Sequence, residues 1–214
     1  VSDYNFAPTS VSKKNLESDG KKNIWVTGNT VVDALIFAKE KINNDADLQE
    51  SIVANINTSY NLNPTRKIIL ITAHRRENFG EGFINICKAI EELANKNPNL
   101  DFIYPVHLNP NVSDPVNEML GNIKNVYLIA PASYEVFIFL MQNSYFIITD
   151  SGGIQEEAPS LGKPVLVLRQ STERPEGIEA GTAVLVGSDT NSIVTMSQSY
   201  IDDKDLYIKT SLLH

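Results

Sequence analysis

The sequence is poor in the residues that mark several specialised protein classes. Its single cysteine, Cys87, cannot form an intramolecular disulfide, so we expect a buried thiol in a reducing cytoplasm. Basic residues are outnumbered, because 18 Lys and Arg against 26 Asp and Glu give a net charge of −8. Nucleic acids and acidic membranes require a basic face, so this charge argues against both as partners.

Long apolar runs are also missing. No window approaches the roughly 20 continuous apolar residues of a membrane-spanning helix, and the opening Val-Ser-Asp-Tyr-Asn does not have the pattern of a signal peptide. Because the sequence opens without methionine, we expect it to be a piece of a longer protein. The 214 residues, 42% hydrophobic and 21% charged, suit one compact domain, or one domain plus the remnant of another.

Short β-branched runs alternate with amphipathic helical patterns along most of the chain. Buried strands are predicted at 67–72, 102–106, 126–129, 146–149, 165–168 and 184–186. Helices are predicted at 82–97, 111–120, 134–143, 154–161 and 192–201. Such alternation predicts the α/β class, with a doubly wound, parallel, Rossmann-like sheet.

The first 66 residues have a different pattern. They contain a strand end at 4–7, a short helix at 10–18, a strand at 24–27 and a helix from Thr30, followed by a polar segment at 55–66. We therefore interpret residues 1–66 as the end of an amino-terminal domain and an interdomain linker. We interpret residues 67–214 as the Rossmann-like domain and expect it to be cut short at its end.

Two arginine-rich loops follow predicted strands, at 74–78 and 169–176. Ligands bind such sheets at the carboxyl ends of the strands, and arginine forks match phosphate oxygens. A positive pocket for a compact polyanion would be formed by Arg75, Arg76, Arg169 and Arg174. Alternatively, the arginines pair with Glu77, Glu173 and Glu176 in solvated turns.

A glycine-rich turn follows another strand. In Asp150-Ser151-Gly152-Gly153, the glycines would let a diphosphate approach the unpaired amides of a helix start, and Ser151 would add a donor. Glu157, about one turn later, would accept hydrogen bonds from ribose hydroxyls. The alternative is a Ser-capped helix in which the glycines serve only the turn. The spacing is not Gly-x-Gly-x-x-Gly, which argues against a nicotinamide dinucleotide.

His107 lies in Tyr104-Pro-Val-His-Leu-Asn-Pro, at the end of the second strand. The same loop position suits a packed, hydrogen-bonded histidine or a functional one. Spacing alone leaves both readings open.

Together these segments resemble the non-hydrolysing UDP-N-acetylglucosamine 2-epimerases. The resemblance is carried by Thr-Ala-His-Arg-Arg-Glu-Asn-Phe-Gly-Glu-Gly from Thr72, by the segment from Tyr104, and by Thr-Asp-Ser-Gly-Gly-Ile-Gln-Glu-Glu-Ala-Pro from Thr149. Shorter matches at Phe6-Ala-Pro-Thr, Val26-Thr-Gly-Asn-Thr and Thr172-Glu-Arg-Pro-Glu extend it from about residue 6 to residue 187.

The resemblance implies a two-domain fold of the glycosyltransferase-B kind, with UDP held mainly by the second domain, here residues 67–214. It implies interconversion of UDP-N-acetylglucosamine and UDP-N-acetylmannosamine by elimination and re-addition of UDP, within cell-surface polysaccharide biosynthesis. No metal and no other cofactor is implied. A homodimer is an expectation of the family.

The resemblance also assigns roles to single residues. His74 is catalytic, near the sugar and phosphate. The residues expected to bind UDP are Ser151, Gly152 and Gly153 at the diphosphate, Glu157 at the ribose, Arg174, and Phe137 at the base. Arg75 and His107 match positions that contact a second, allosteric substrate molecule in bacterial relatives.

The sequence also departs from the family. The amino-terminal domain, whose acidic residues move the C2 proton, is missing, and the resemblance fades after Gly187. We therefore expect a UDP-binding half that is inactive alone. The alternatives are a subunit of a split enzyme completed by a separate amino-terminal half, a non-catalytic UDP-sugar-binding remnant, or a glycosyltransferase. The His74 to Asn78 segment argues against the last.

Overall fold

The computed structural model describes residues 2–213 of the chain. Helices and strands alternate along it. The strands are β1 (Asn5–Ala7), β2 (Ile24–Val26), β3 (Lys67–Thr72), β4 (Leu100–Pro105), β5 (Val126–Ile129), β6 (Ser144–Thr149), β7 (Val165–Val167) and β8 (Ala183–Leu185). The α-helices are α1 (Ser10–Ser18), α2 (Thr30–Asn44), α3 (Ala46–Asn57), α4 (Glu81–Lys96), α5 (Pro110–Leu120), α6 (Tyr134–Asn143), α7 (Gly152–Glu157), α8 (Pro175–Ala180), α9 (Thr190–Asp202) and α10 (Lys204–Ser211).

Six strands form one parallel sheet in the order β5-β4-β3-β6-β7-β8. This is the strand order of the doubly wound Rossmann fold, so the predicted fold class is confirmed. The order reverses between β3 and β6, which pair directly through residues such as Leu70 and Ile147. Ligands of such folds bind at this switch point, outside the carboxyl ends of the strands.

Helices cover both faces of the sheet. The strands are therefore apolar at successive positions, and their side chains are buried on either side. Ile69 and Ile71 of β3 belong to one core, whereas Ile68 and Leu70 belong to the other, as the two-residue period of a strand requires. The first core contains α4, α5 and α9, and the second contains α2, α3 and α6. The predicted burial of Cys87 is confirmed, and burial raises the pKa of its thiol to about 12.

The six predicted strands are all present, with ends shifted by up to two residues. Three helices were not predicted, namely α3, α8 and α10. The helix predicted at 154–161 is divided in two, because α7 ends at Glu157 and a 3₁₀ turn runs from Pro159 to Leu161. No helix within residues 2–213 is long and apolar enough to span a bilayer.

Residues 2–66 contribute more to the sheet domain than the sequence predicts. Strands β1 and β2 form a separate parallel pair, but α2 and α3 pack on the main sheet, and Tyr60 is buried there. The Tyr60 hydroxyl donates to Asp101 Oδ2 at 2.7 Å, and Arg66 Nε donates to Asp101 Oδ1 at 2.7 Å. The polar segment 55–66 is therefore tied to β4. The division of the chain at residue 66 stays a prediction.

Candidate active site

The loops predicted to carry chemistry meet at the carboxyl ends of β3, β6 and β7, at the switch point of the sheet. His74 follows β3, and Asp150 follows β6 directly. The two strand ends are joined by a buried hydrogen bond of 2.7 Å between the hydroxyls of Thr72 and Thr149. The Tyr104 hydroxyl donates to Ala73 O at 2.9 Å and so holds the first residue of the His74 loop.

The buried side chain of Asp150 holds the backbone at this edge of the sheet. Its side chain is fully buried, and its Oδ2 accepts hydrogen bonds from the backbone N–H groups of His74, at 2.8 Å, and Arg75, at 2.7 Å. Asn78 Nδ2 lies 3.4 Å from the same oxygen and also donates to Leu168 O at 3.1 Å. One buried carboxylate therefore fixes the turn that carries His74 and Arg75.

His74 and His107 lie face to face. Their ring centroids are 5.6 Å apart and their planes are inclined by 15°. His107 is exposed, and its Nδ1 accepts a hydrogen bond of 3.1 Å from the backbone N–H of Asn109. The structure thus brings two residues with separate predicted roles into one stacked pair.

The arginines of the two loops face carboxylates. Arg169 Nε donates to Glu77 Oε1 at 2.7 Å, and its Nη1 pairs with Glu173, whose other oxygen lies 3.9 Å from Arg75 Nη2. The backbone N–H of Glu173, together with Arg169, holds the pKa of its carboxyl below the usual value, so the group is ionised at neutral pH. Glu77 and Glu173 therefore offset the charge of Arg169, as the alternative of paired arginines predicted, and the positive pocket stays a prediction.

The glycine-rich turn opens onto the same cluster. A Cβ atom added to Gly152 would lie 2.8 Å from Glu173 Oε1 and 3.6 Å from Arg75 Nη2. At Gly153 the nearest atom would be Ser151 Oγ, at 3.9 Å. Ser151 is the N-cap of α7 but makes no side-chain capping hydrogen bond, so the alternative of a Ser-capped helix is wrong.

Glu157 lies at the end of α7, with its side chain largely buried. Its Oε1 is 3.4 Å from the Tyr134 hydroxyl, which donates to it. Burial raises the pKa of Glu157, and the charge of Glu156 adds to the rise, while the bond from Tyr134 opposes it. Phe137 lies one turn beyond Tyr134 on α6 and packs partly against the core. Tyr134 and Glu157 thus form a second polar group, at the far end of the short helix that begins at the glycine turn.

Arg174 connects the sheet domain to the first part of the chain. Its Nε pairs with Glu156, whose Oε2 accepts a hydrogen bond of 2.7 Å from Asn29 Nδ2. Thr172 supports the loop, because its hydroxyl donates to Gln155 Oε1 at 2.6 Å and accepts from Arg174 N at 3.1 Å. A cleft of about 260 Å³ lies here, between the 8–12 and 29–32 segments and the ends of α7 and α8.

Several residues of the site received no role from the sequence. Asp150, Tyr134, Glu156 and Asn29 make contacts across 23 to 127 positions of the chain, and such contacts leave no local pattern. Only for Asp150 did the sequence indicate a place in the site, because this acidic residue directly follows the buried strand β6. Within the described residues, no group of three or more His, Cys, Asp or Glu side chains is arranged to hold a metal ion.

Comparisons with known proteins show which chains this one resembles in sequence and fold. The chain is 54% identical to a UDP-N-acetylglucosamine 2-epimerase of Campylobacter jejuni over 213 residues, which cover 99% of this chain and 56% of the relative. It superposes with a TM-score of 0.94 on the Neisseria meningitidis UDP-GlcNAc 2-epimerase bound to UDP-GlcNAc, at 47% identity, covering 100% of this chain and 57% of that one. The Methanocaldococcus jannaschii enzyme, in complex with UDP-GlcNAc and UDP, gives a TM-score of 0.79 at 31% identity, covering 94% and 55%.

The chain spans about half the length of the curated relatives it matches, 56% for the Campylobacter jejuni protein. This share is consistent with a carboxy-terminal portion of the family architecture. A family model described as UDP-N-acetylglucosamine 2-epimerase matches residues 1–212, almost the whole chain. The chain therefore belongs to the UDP-N-acetylglucosamine 2-epimerase family.

Proposed function

We propose that this chain is the UDP-binding half of an epimerase that interconverts UDP-N-acetylglucosamine and UDP-N-acetylmannosamine. The observation that carries the proposal is the convergence of His74, the arginine loops and the Gly152 turn at the switch point of a sheet that belongs to this family. The Neisseria and Methanocaldococcus relatives bind UDP-GlcNAc. Their likeness to this chain supports the same ligand here.

The diphosphate would bind at the turn formed by Ser151, Gly152 and Gly153. Unpaired amides at a helix start attract anions, and the Ser151 hydroxyl is available as a donor. Glu173 lies against Gly152, so we expect its carboxylate to move aside when a diphosphate binds. Arg75 and Arg169 would then pair with phosphate oxygens instead of with Glu173.

The nucleoside would bind in the neighbouring group. Glu157 would accept hydrogen bonds from the ribose hydroxyls, Phe137 would line the base pocket, and Arg174 would contact UDP. Tyr134 supports this arrangement, since its hydroxyl already donates to Glu157. The raised pKa of Glu157 fits a carboxylate that gains partners only on binding.

His74 would act near the sugar and the phosphate, where the bond between C1 and UDP breaks. His107 and Arg75 adjoin it, and we propose that they contact the second substrate molecule that activates bacterial relatives. The stacking of His107 on His74 supports a coupling between the two sites. The paired arginines favour the non-hydrolysing branch.

Turnover would require groups outside this chain. The family resemblance implies that acidic residues of an amino-terminal half remove and return the C2 proton, and a site without its proton-transfer groups loses most of its transition-state stabilisation. The isolated chain would therefore bind UDP and not epimerise. We propose that the amino-terminal half docks across the cleft beside Arg174, in a cytoplasmic enzyme that forms a homodimer.

The test is reconstitution in D₂O. We expect the purified chain alone to leave UDP-N-acetylglucosamine unchanged and undeuterated at C2. Adding the amino-terminal half of the Campylobacter relative should yield UDP-N-acetylmannosamine with deuterium at C2, and a His74→Gln chain should not. Epimerisation by the chain alone that His74→Gln abolishes would refute the proposal, whereas epimerisation that survives this substitution would reveal a contaminating enzyme.

Related experiments distinguish the other candidate functions. A non-catalytic remnant would bind UDP and stay inactive with every amino-terminal half. A subunit of a split enzyme would co-purify with a separately encoded half from its own cells. A glycosyltransferase would release UDP only when an acceptor sugar is added.

A further inference from the structure

One atom of the buried carboxylate of Asp150 lacks a partner. Oδ2 accepts the backbone N–H groups of His74 and Arg75, but Oδ1 has no hydrogen bond from any of residues 2–213. A buried acceptor without a donor destabilises the fold, so such atoms are rare in native proteins. His74 Nδ1 lies 3.7 Å from this oxygen. A ring movement of about 0.5 Å would bring the pair within hydrogen-bond distance.

His107, the other ring of the stack, is hydrogen-bonded to the backbone and not to a carboxylate. His107 Nδ1 accepts a hydrogen bond from the backbone N–H of Asn109. A neutral imidazole carries one proton, so a ring whose Nδ1 accepts must carry it on Nε2. The position of the His107 proton is therefore fixed by backbone geometry at the start of α5.

We propose that Asp150 is a positioning residue that holds His74 in the tautomer protonated on Nδ1, opposite to the tautomer of the stacked His107. A carboxylate behind an imidazole fixes tautomer and ring orientation in this way at many sites. His74 then offers Nε2 as a hydrogen-bond acceptor, and His107 offers Nε2–H as a donor. The two parallel rings thus present opposite polarity to a ligand.

The polarity matters for the site if the proposed function is correct. His74 Nε2 could accept a proton or a hydroxyl hydrogen bond, whereas His107 Nε2–H suits an anionic oxygen. The tautomers themselves do not depend on any ligand. Failure of UDP binding and failure of this inference are therefore separate results.

A purely structural role for Asp150 predicts something else. If the carboxylate only ties two backbone amides, the His74 proton is independent of it. Asp150→Asn separates the two roles, because the amide Oδ1 can still accept the backbone N–H groups of His74 and Arg75. The amide Nδ2 would then face His74 Nδ1 as a donor, which requires the imidazole proton to move to Nε2.

The experiment is a long-range ¹H–¹⁵N correlation spectrum of the ¹⁵N-histidine-labelled chain, recorded at about pH 8, where an ordinary imidazole is neutral. The variants His74→Gln and His107→Gln assign the signals. We expect His74 to be protonated on Nδ1 in the natural chain and on Nε2 in Asp150→Asn. His107, as the internal control, should be protonated on Nε2 in both.

A natural chain with His74 protonated on Nε2 would overturn the inference. So would an unchanged His74 tautomer in a folded Asp150→Asn variant. If that variant does not fold, the spectrum of the natural chain still decides, because Nδ1 protonation of His74 is required and is not the usual form of a free imidazole in solution. A mixture of tautomers in the natural chain would also count against it.

Discussion

Two neighbouring glycines offer a matched pair of substitutions that separates ligand binding from folding. Alanine at either position keeps the backbone N–H, and neither residue has a positive φ. Only the direction of the methyl group differs. At Gly152 it would enter the space beside Glu173 and Arg75, where we place the diphosphate, and at Gly153 it would meet only Ser151 Oγ at 3.9 Å.

The expected effect on stability is small for both. The close contact of 2.8 Å at Gly152→Ala is with the end of the flexible Glu173 side chain, which can move at the cost of exposed ion pairs worth about 0–1 kcal/mol. Replacing a helical glycine by alanine stabilises the folded state by about 0.5–1 kcal/mol. Thermal midpoints should therefore stay within about 4 °C of the natural chain, since 1 kcal/mol shifts a domain of this size by roughly 2–4 °C.

The expected effect on binding differs between the two. Gly152→Ala should remove about one charge-assisted hydrogen bond to phosphate, worth roughly 1.5–3 kcal/mol. The affinity for UDP should therefore fall about 10- to 150-fold. Gly153→Ala should change the affinity less than about threefold, or roughly 0.7 kcal/mol. Titration calorimetry with UDP measures both, and uridine, which has no phosphate, should bind all three proteins alike. Equal effects of the two variants, or an unchanged Gly152→Ala, would refute the placement of the diphosphate.

Three further predictions concern carboxylates. Glu173→Ala should tighten UDP binding several-fold by calorimetry, because the ionised carboxylate no longer competes for the arginines; a loss of affinity would mean that Glu173 orients them. Glu157→Gln should raise the thermal midpoint near neutral pH, because a raised pKa means that ionised Glu157 destabilises the fold. That difference should shrink as the pH falls through the raised pKa of Glu157 and vanish below the ordinary pKa of a glutamate, where the carboxyl is protonated in folded and unfolded chains. A difference in thermal midpoint that does not depend on pH would contradict the reasoning. Tyr60→Phe should lower the free energy of unfolding in urea by about 1–3 kcal/mol, because Asp101 Oδ2 loses its buried donor; no change would show that the 55–66 segment is a loose linker.

The sheet was predictable because each buried strand leaves a local signature. The run Lys-Ile-Ile-Leu-Ile-Thr is apolar on both faces, and β3 covers the same six residues as predicted. The long apolar stripe of α4 was equally clear. In contrast, α8 has only six residues, which include Gly177, and the next residue is Gly181 with φ of +79°, so its sequence is typical of a turn. Its helical form depends on packing against β8.

The members of the site were predictable, but their pairing was not. Loops at the carboxyl ends of parallel strands must meet, so the sequence alone predicts His74, Gly152 and Arg174 at one edge of the sheet. The pairing of Arg169 with Glu77 joins residues 92 positions apart. The partner choice between the nearby glutamates depends on side-chain distances that no spacing encodes. The stack of His74 on His107 has the same origin, because it requires the β3–β4 register.

The most direct test of the central claim is a calorimetric titration of the chain with UDP, repeated on Glu157→Ala and Arg174→Ala. The account predicts binding in the micromolar to millimolar range, about −8 to −4 kcal/mol, and weaker binding in both variants while their thermal unfolding stays cooperative. Binding that neither variant weakens would place UDP elsewhere. No heat of binding at millimolar UDP from a folded chain would contradict the claim that this half carries a working nucleotide site.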